Sequence, residues 1–240
     1  VTNYITVEDG GVLSIAPGAT LGFDALQQLS VKPGGSLYAL GTADEPIVFT
    51  SHPGAALWKG VQNSRGTMIL LNCEVSFAEK GLTVGASIID PPTNSIVQNC
   101  KIHDNTVGIY AYAPTYATTS IVYNEIYNNL TFGVDWGGSG ADAVNAYHNY
   151  WGDPSGPYHA TLNPDGLGNP VDDYINFDPF LTTPPEDQAL SGDMWVSTAG
   201  PATISPGEVN DYAIQYLNLQ AEPIYDAIAV IQLPLAGKYI

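Results

Sequence analysis

Apolar and polar residues alternate with a period of two along much of the chain. Pairs of apolar residues separated by one small or polar residue are Leu13 and Ile15, Leu21 and Phe23, and Leu29 and Val31. This period is typical of β-strands with one buried side, and no stretch shows a convincing helical period. The pattern predicts an all-β protein of many short strands, including one over Ile47–Ser51.

A first internal repeat lies at the amino end. Val7–Leu13 recurs as Val31–Leu37, with the shared pattern V-x-x-G-G-x-L and an offset of 24 residues. The paired glycines predict tight turns in which a residue takes a positive φ angle.

A second set of repeats follows. The copies are Asn72–Val75, Asn99–Ile102, Tyr123–Ile126 and Asn149–Trp151, at offsets of 24 to 27 residues. The third copy has one extra residue before its glycine, where we expect a β-bulge. A repeat of this length with several strands predicts a solenoid. Leucine-rich and hexapeptide frameworks are missing, so we expect a right-handed parallel β-helix with three short strands per coil.

Equal positions in successive coils should stack about 4.8 Å apart. The predicted inward columns are Val75, Ile102, Ile126 and Trp151, and Cys73, Cys100, Asn124 and Asn149; the outward column is Glu74, Lys101, Glu125 and Tyr150; the turn column is Ala78, Asn105 and Asn129. Stacked asparagines can bond to one another and to buried turn amides. The sequence leaves open whether the two cysteines are free thiols or a disulfide.

Asn149–Pro157, with the sequence NYWGDPSGP, ends the repetition. Its glycines and prolines break the preceding strand, and Trp151 takes the last place in an inward column. We interpret this segment as a lid that closes the hydrophobic stack and protects its open edge.

The resemblance to known proteins rests on Gly11–Gly18, Leu37–Ser51, the Asn-Cys-x-Ile coils and Asn149–Pro157. Together these segments resemble bacterial and archaeal cell-surface proteins with a pectate-lyase-like right-handed β-helix, over about residues 5–181. The resemblance implies that NYWGDPSGP closes the helix and that a loop over Asn163–Pro170 and a strand over Tyr174–Leu181 follow. It is informative about fold and weak about activity, because many such proteins have no assigned chemistry.

The sequence divides into a β-helix domain with its closing loop at 1–181, a linker at 182–190 and a partial second domain at 191–240. Paired prolines mark the linker. The second domain resembles the start of the immunoglobulin-like repeat of prokaryotic surface proteins, with strands at Trp195–Ser197, Asn210–Leu217 and Ile224–Leu233. Such a sandwich needs about 100 residues. Either the chain is cut from a longer protein, or a neighbouring copy or surface protein completes the sheet with a strand.

Charge narrows the choice of partners. The net charge is −18, with 24 Asp and Glu against six Lys and Arg. Nucleic acids need a basic footprint that is missing here, and polyanionic polysaccharides would be repelled. The acidity favours solubility, or life in high salt or acid. No membrane span or signal peptide is visible, and we treat the chain as a mature piece of an extracellular or cell-surface protein.

Candidate catalytic groups are scattered. A polysaccharide lyase of this fold needs an Arg or Lys base near carboxylates that hold Ca²⁺, but Lys59 and Arg65 have no acidic cluster at equal phase on nearby coils. A galacturonan hydrolase of this fold needs several aspartates, but Asp172 and Asp173 fall in the loop after the closing segment, not on a coil face. We therefore expect no catalytic residues, no cofactor and no metal site.

Weaker signals have structural explanations. His103 should point outward beside Tyr127, and His148 and His159 lack a partner at metal-ligand spacing. A Ca²⁺ site remains an alternative for Asp165, Asn169, Asp172, Asp173 and Asp178, although turn formation also accounts for these residues. Asn129 begins a glycosylation sequon.

Aromatic residues crowd into the last coils. They are Tyr110, Tyr112, Tyr116, Tyr123, Tyr127, Trp136 and Tyr147. Tyr110 and Tyr112 should share an outer face, because they alternate with apolar residues that point inward. Together with Tyr127 they are the candidate glycan- or partner-binding residues, since exposed tyrosines stack on sugars and anchor protein contacts. The alternative is the ordinary preference of strands for Tyr.

The sequence thus predicts a non-catalytic extracellular structural or adhesive protein of a prokaryotic surface, such as a stalk, an S-layer coat or a filament subunit. The alternative is a polysaccharide-binding or polysaccharide-cleaving β-helix module. The expected partners are other copies or other surface proteins, with glycans in the alternative, and no nucleic acid.

Overall fold

The computed structural model describes residues 1–85, 94–112, 118–138, 143–185, 194–199 and 213–218. The chain divides into two compact units, Val1–Gln188 and Ala189–Ile240. All regular structure in the described residues is β, in short strands. These are β1 Ile5–Val7, β2 Val12–Ile15, β3 Thr20–Phe23, β4 Gln28–Val31, β5 Ser36–Leu40, β6 Ile47–Ser51, β7 Gly60–Asn63, β8 Thr67–Leu71, β9 Cys73–Ser76, β10 Lys80–Val84, β11 Asn94–Gln98, β12 Lys101–His103, β13 Val107–Ala111, β14 Thr118–Val122, β15 Glu125–Tyr127, β16 Phe132–Trp136, β17 Val144–Asn145, β18 Ile175–Asn176, β19 Met194–Ala199 and β20 Ala213–Asn218. A search of the described residues for a helix long and apolar enough to cross a membrane found none.

The first sixteen strands form a parallel β-solenoid. Each coil contributes one strand to each of three sheets, so a strand pairs in parallel with the strand three places further along the chain. The first sheet contains β2, β5, β8, β11 and β14; the second contains β3, β6, β9, β12 and β15; the third contains β1, β4, β7, β10, β13 and β16. The six strands of the third sheet correspond to about six coils. The predicted parallel β-helix architecture is therefore confirmed.

The amino-terminal repeat stacks on itself. Val7 pairs with Val31, and Leu13 pairs with Leu37, so the two V-x-x-G-G-x-L copies lie one coil apart. Gly10 has a φ angle of 69° and takes the left-handed conformation that the turn requires.

The predicted apolar column is confirmed. Val75, Ile102 and Ile126 pair in register on the second sheet, and Trp151 follows the bridge between Tyr150 and Glu125. All four apolar side chains are fully buried. Because the strands are parallel and in register, like positions pack on like positions through the whole core.

The cysteine and asparagine column is also inward and carries hydrogen bonds between coils. The Cys100 N–H donates to Asn124 Oδ1 at 2.9 Å, and the Asn124 N–H donates to Asn149 Oδ1 at 2.8 Å. Cys73 and Cys100 are buried free thiols. A hydrogen bond with Cys100, together with burial, raises the pKa of the Cys73 thiol. Each coil thus satisfies a buried backbone amide of the coil before it.

A second ladder runs through the turns between the second and third sheets. The Ala78 N–H donates to Asn105 Oδ1 at 2.9 Å, and the Asn105 N–H donates to Asn129 Oδ1 at 3.1 Å. These contacts confirm the predicted turn column. The structure adds Asn169, whose Oδ1 accepts from the Asn129 N–H at 3.0 Å. The extra residue of the third repeat falls just after this ladder, where Leu130 is 79% exposed.

The carboxyl end of the solenoid is closed by a longer segment than Asn149–Pro157. After that loop the chain rejoins the stack, where Val171 bridges to Val134 and β18 pairs with β17. Ile175 and Phe177 are buried over the last coil. The strand expected over Tyr174–Leu181 is limited to Ile175–Asn176. Pro179, which lacks an N–H, cannot continue the ladder.

The second unit contains one described antiparallel pair. Strand β19 pairs with β20, from Met194 opposite Asn218 to Ala199 opposite Ala213. These strands overlap those expected around Trp195 and before Asn218. The strand expected at Ile224–Leu233 lies outside the described residues.

Candidate functional site

The third-sheet outer face collects several polar and aromatic side chains in one column. We use this name for Gln62, Thr83, Tyr110, Asp135 and Asp172. Registered pairs place Thr83 beside Gln62 and Tyr110, and Tyr110 beside Asp135. Asp172 follows Val171, which bridges to Val134, so it lies beside Asp135 at the end of the column.

Tyr110 is held by neighbours on three sides. The Lys80 ammonium lies 3.2 Å from the centre of its ring, in a cation–π contact. The Tyr112 ring meets it edge-on, with centres 5.3 Å apart and planes at 86°. Gly137 packs so closely against the ring that a side chain there would clash. Burial, followed by the charges of Tyr112 and Asp135, raises the pKa of the Tyr110 hydroxyl. One face of this ring is covered and is not open to a sugar.

Asp135 and Asp172 form a carboxyl pair. Burial is the main cause that raises the pKa of Asp135, and a hydrogen bond to Asp172 adds to it, while Lys80 opposes both. The expectation that Asp172 lies off the coil face is wrong. The chain returns to the third sheet after the closing loop, and the Asp172 N–H donates to Val134 O at 3.3 Å. Val171 and Asp172 repeat the apolar–acidic order found in β16. This repeat was the sequence signal for the return of the chain to the third sheet.

The contact between these two carboxyl groups bears on catalysis. Glycosidase carboxyls stand about 5–9.5 Å apart, to leave room for the sugar or for a water molecule. Asp135 and Asp172 instead occupy adjacent positions on one sheet face, and Asp172 contributes to the raised pKa of Asp135. Lys59, a candidate lyase base, is held by Glu79 at 2.6 Å. Asp135 and Lys59 thus each have a neighbouring side chain as a partner.

Tyr127 lies on a different sheet from Tyr110 and Tyr112. Its ring stacks on His103, with centres 4.8 Å apart and planes at 13°. His103 also contacts Glu74 at 3.3 Å and Asp104 at 2.7 Å. Burial and the nearby Glu125 raise the pKa of Tyr127. The outward position of His103 beside Tyr127 is confirmed, but the three candidate tyrosines do not form one site.

The other aromatic residues are dispersed. Trp136 packs on Tyr174, with ring centres 4.2 Å apart, and Tyr174 is 38% exposed. Tyr123 stacks on His148 at 5.5 Å. Tyr116 lies outside the described residues.

A cleft of about 430 Å³ opens in the closing region. Its lining residues are Tyr147, Leu162, Asn163, Ile175, Asn176, Phe177, Asp178 and Phe180. It lies between the closing loop and the final half coil. No repeat marks this part of the chain, so the sequence offered no means of finding it.

His159 has a structural role in the closing loop. It is 3% exposed, and its Nδ1 accepts from the Leu162 N–H at 3.0 Å. Its Nε2 faces Asp173 at 3.4 Å.

The candidate Ca²⁺ ligands are separated by the fold. Asn169 belongs to the turn ladder, Asp172 to the third-sheet outer face and Asp173 to His159, while Asp178 lines the cleft. Among the described residues, no group of three or more His, Cys, Asp or Glu side chains could hold a metal ion.

Comparison of the chain with protein-family models, with curated proteins and with solved structures found no match.

Proposed function

We propose that the chain is a non-catalytic structural or adhesive element of a prokaryotic cell surface, such as a stalk, an S-layer coat or a filament subunit. The observation that carries the proposal is the pairing of outward polar groups between coils. Lys80 lies on the ring of Tyr110, and Lys59 pairs with Glu79 at 2.6 Å. These side chains reinforce the stack instead of converging on an open reaction centre.

The interior supports the same role. Two ladders of buried side-chain hydrogen bonds, through Asn124 and Asn105, tie successive coils together. Buried polar networks whose groups are all bonded make a structure rigid. A rigid rod of stacked coils suits a protein that holds other groups away from a surface.

The finer assignments belong to this proposal. They are a right-handed, pectate-lyase-like β-helix, an extracellular location and an immunoglobulin-like second domain. The antiparallel pair of β19 and β20 is compatible with the start of such a domain. A strand from a neighbouring copy or another surface protein would complete its sheet within 191–240.

The test of the non-catalytic role is an assay on pectate, alginate and glycosaminoglycan with Ca²⁺ present. We expect no release of unsaturated product by ultraviolet absorbance, and no new reducing ends. Either signal, if lost in Asp135→Asn, would overturn the proposal and assign the carboxyl pair to catalysis.

Glycan binding is a second candidate function. It is favoured by the exposed ring of Tyr174 beside Trp136, close in sequence to the Asp135 and Asp172 carboxyls. Aromatic rings and carboxyls are the groups that bind neutral sugars. On a glycan array, Tyr174→Ala should abolish binding, whereas Tyr127→Ala, on the second sheet, should not. The reverse result would move the site to the second sheet.

A further inference from the structure

The first-sheet outer face differs in charge from the other two sheets, whose strands include Glu74, Lys80, Lys101, Glu125 and Asp135. We use this name for the outward residues of β2, β5, β8, β11 and β14. None of the residues in these five described strands is charged. The chain as a whole has a net charge of −18. An uncharged face on so acidic a protein needs an explanation beyond solubility.

The centre of this face is apolar. In β5 and β8 the buried and half-buried residues alternate, with Leu37 and Leu70 among those that point inward. The outward residues between them stack in register: Tyr38 pairs with Ile69, and Ile69 pairs with Ile96. A column of large apolar side chains on the outside of a coil does nothing for the core. Contiguous apolar surface of this kind marks contact sites.

We propose that the first-sheet outer face is the contact between two copies of this chain, packed face to face. Charge argues for a second copy. Two chains of −18 repel each other wherever their acidic faces meet, and a face without charge is where they can approach. A basic partner would instead be attracted to acidic positions such as Glu74 on the second sheet or Asp135 on the third.

The geometry defines the centre of the contact. The strand order of the first sheet is β14, β11, β8, β5, β2, so β8 is its middle strand and Ile69 is the middle residue of that strand. In a two-fold symmetric pair the axis passes through the centre of the shared face. Ile69 would then face Ile69 of the second copy.

The size of the face sets the expected strength. Five strands of up to five residues cover about 24 by 16 Å, or about 400 Å² on each copy. Stable complexes bury about 1,200–2,000 Å² in total, so this contact is weak between two isolated copies. Repetition in an ordered array would strengthen it through multivalency. The inference therefore deepens the proposed structural role and rests on it for its biological setting.

Sedimentation equilibrium of the full chain tests the inference. We expect reversible dimers with a dissociation constant of about 0.1–1 mM. Association should strengthen at about 1 M NaCl, where screening removes the repulsion between acidic copies. Ile69→Glu should weaken it at least about tenfold, because two charges would meet at the axis. The matched control is Gln62→Glu, which adds the same charge on the third-sheet outer face and should leave the constant unchanged. A far-ultraviolet melting curve checks that both variants fold.

Cross-linking provides a second readout. In Ile69→Cys the introduced thiol would face its counterpart across packed sheets about 10 Å apart, within reach of a short bis-maleimide. The native thiols are buried. We expect cross-linked dimers from Ile69→Cys and far fewer from Gln62→Cys. A chain that stays monomeric in high salt, or dimers that Ile69→Glu does not affect, would overturn the inference. Neither result would bear on the proposed non-catalytic role, because the substrate assay tests that role separately.

Discussion

On strand β12 two neighbouring residues belong to different regions of the molecule. Ile102 stacks between Val75 and Ile126 in the core, while Lys101 lies between Glu74 and Glu125 on the surface. The core position is occupied by an aliphatic residue in each of these coils. The surface position alternates between acidic and basic residues. Water can replace a lost contact outside but not inside. The inward columns should therefore set stability, and the outward columns should set contacts with other molecules.

The outer faces also differ from one another. The first sheet is uncharged on its outside, whereas the third carries Lys80, Tyr110 and a carboxyl pair. The core behind both faces is equally apolar. Packing of the core does not require this difference, so the outer faces can differ in the molecules that they contact.

The largest effect is expected at the closed end of the apolar column. Trp151 is fully buried, and its ring packs against Gly133. Trp151→Ala should lower the free energy of unfolding by about 3–5 kcal/mol, because it removes a large side chain and leaves a cavity. Urea denaturation followed by circular dichroism measures this loss.

Tyr150→Ala is the matched control for that variant. Tyr150 is the preceding residue and points outward. Its replacement should cost about 1 kcal/mol, well below the loss expected for Trp151→Ala. Equal losses in the two variants would mean that the inward and outward columns are wrongly assigned.

The next effect tests the buried asparagine ladder. Asn124→Ala removes the acceptor of the Cys100 N–H and the donor to Val97 O, both in the core. Leaving buried groups without partners should cost about 1–3 kcal/mol by urea denaturation. Asn145→Ala breaks an exposed side-chain bond to Asn176 and should be nearly neutral. If both variants behave alike, the ladder does not contribute as a buried network.

The solenoid could be predicted from the sequence because each column of stacked residues corresponds to a sequence repeat. Once Asn72, Asn99 and Tyr123 are aligned, the positions of Val75 and Asn105 follow from the period alone. The closing region lacks a repeat. There, Asn169 and Asp172 rejoin the stack after a long loop, and only three-dimensional structure shows their phase.

The candidate site was harder to predict than the fold. Alternation placed Tyr110 and Tyr112 together, as the structure does. It did not show that Lys80 covers the Tyr110 ring, because that contact depends on a side-chain path between coils. Tyr127 was included only because it is one of the aromatic residues of the last coils. The fold places it on a different sheet from the other two tyrosines.

A smaller effect, of opposite sign, is expected on the third-sheet outer face. The folded protein raises the pKa of Asp135, chiefly through burial and then through Asp172. The protonated form is thus favoured by folding, and the resulting stability is present below the unfolded pKa and lost as pH rises through the folded pKa. Asp135→Asn should therefore stabilise the protein at neutral pH, by up to about 1 kcal/mol after allowance for solvent screening. The gain should disappear in acid.

Asp153 provides the opposite pH dependence. The hydroxyl and N–H of Ser155 donate to its carboxylate and lower its pKa. Its stabilising effect is present above the unfolded pKa and is lost as pH falls. Thermal melts of both variants should be compared from acid to neutral pH. As the pH rises, the stability gained by Asp135→Asn should grow, whereas Asp153→Asn should become destabilising. Parallel pH profiles for the two variants would contradict the environment assigned to Asp135.

The smallest effect is expected at the surface charge column, where the comparison began. Lys101 Nζ lies 3.5 Å from a Glu125 oxygen, and the Lys101 side chain is 42% exposed. Exposed ion pairs contribute about 0–1 kcal/mol, so Lys101→Ala should cost less than 1 kcal/mol in low salt. The cost should shrink at about 1 M NaCl, because the Debye length there is only about 3 Å. Ile102→Ala, one residue away, should cost about 2–5 kcal/mol at either salt concentration, since cavity formation is not screened. A salt-independent loss at Lys101 as large as that at Ile102 would show that this outward column stabilises the solenoid like the core does.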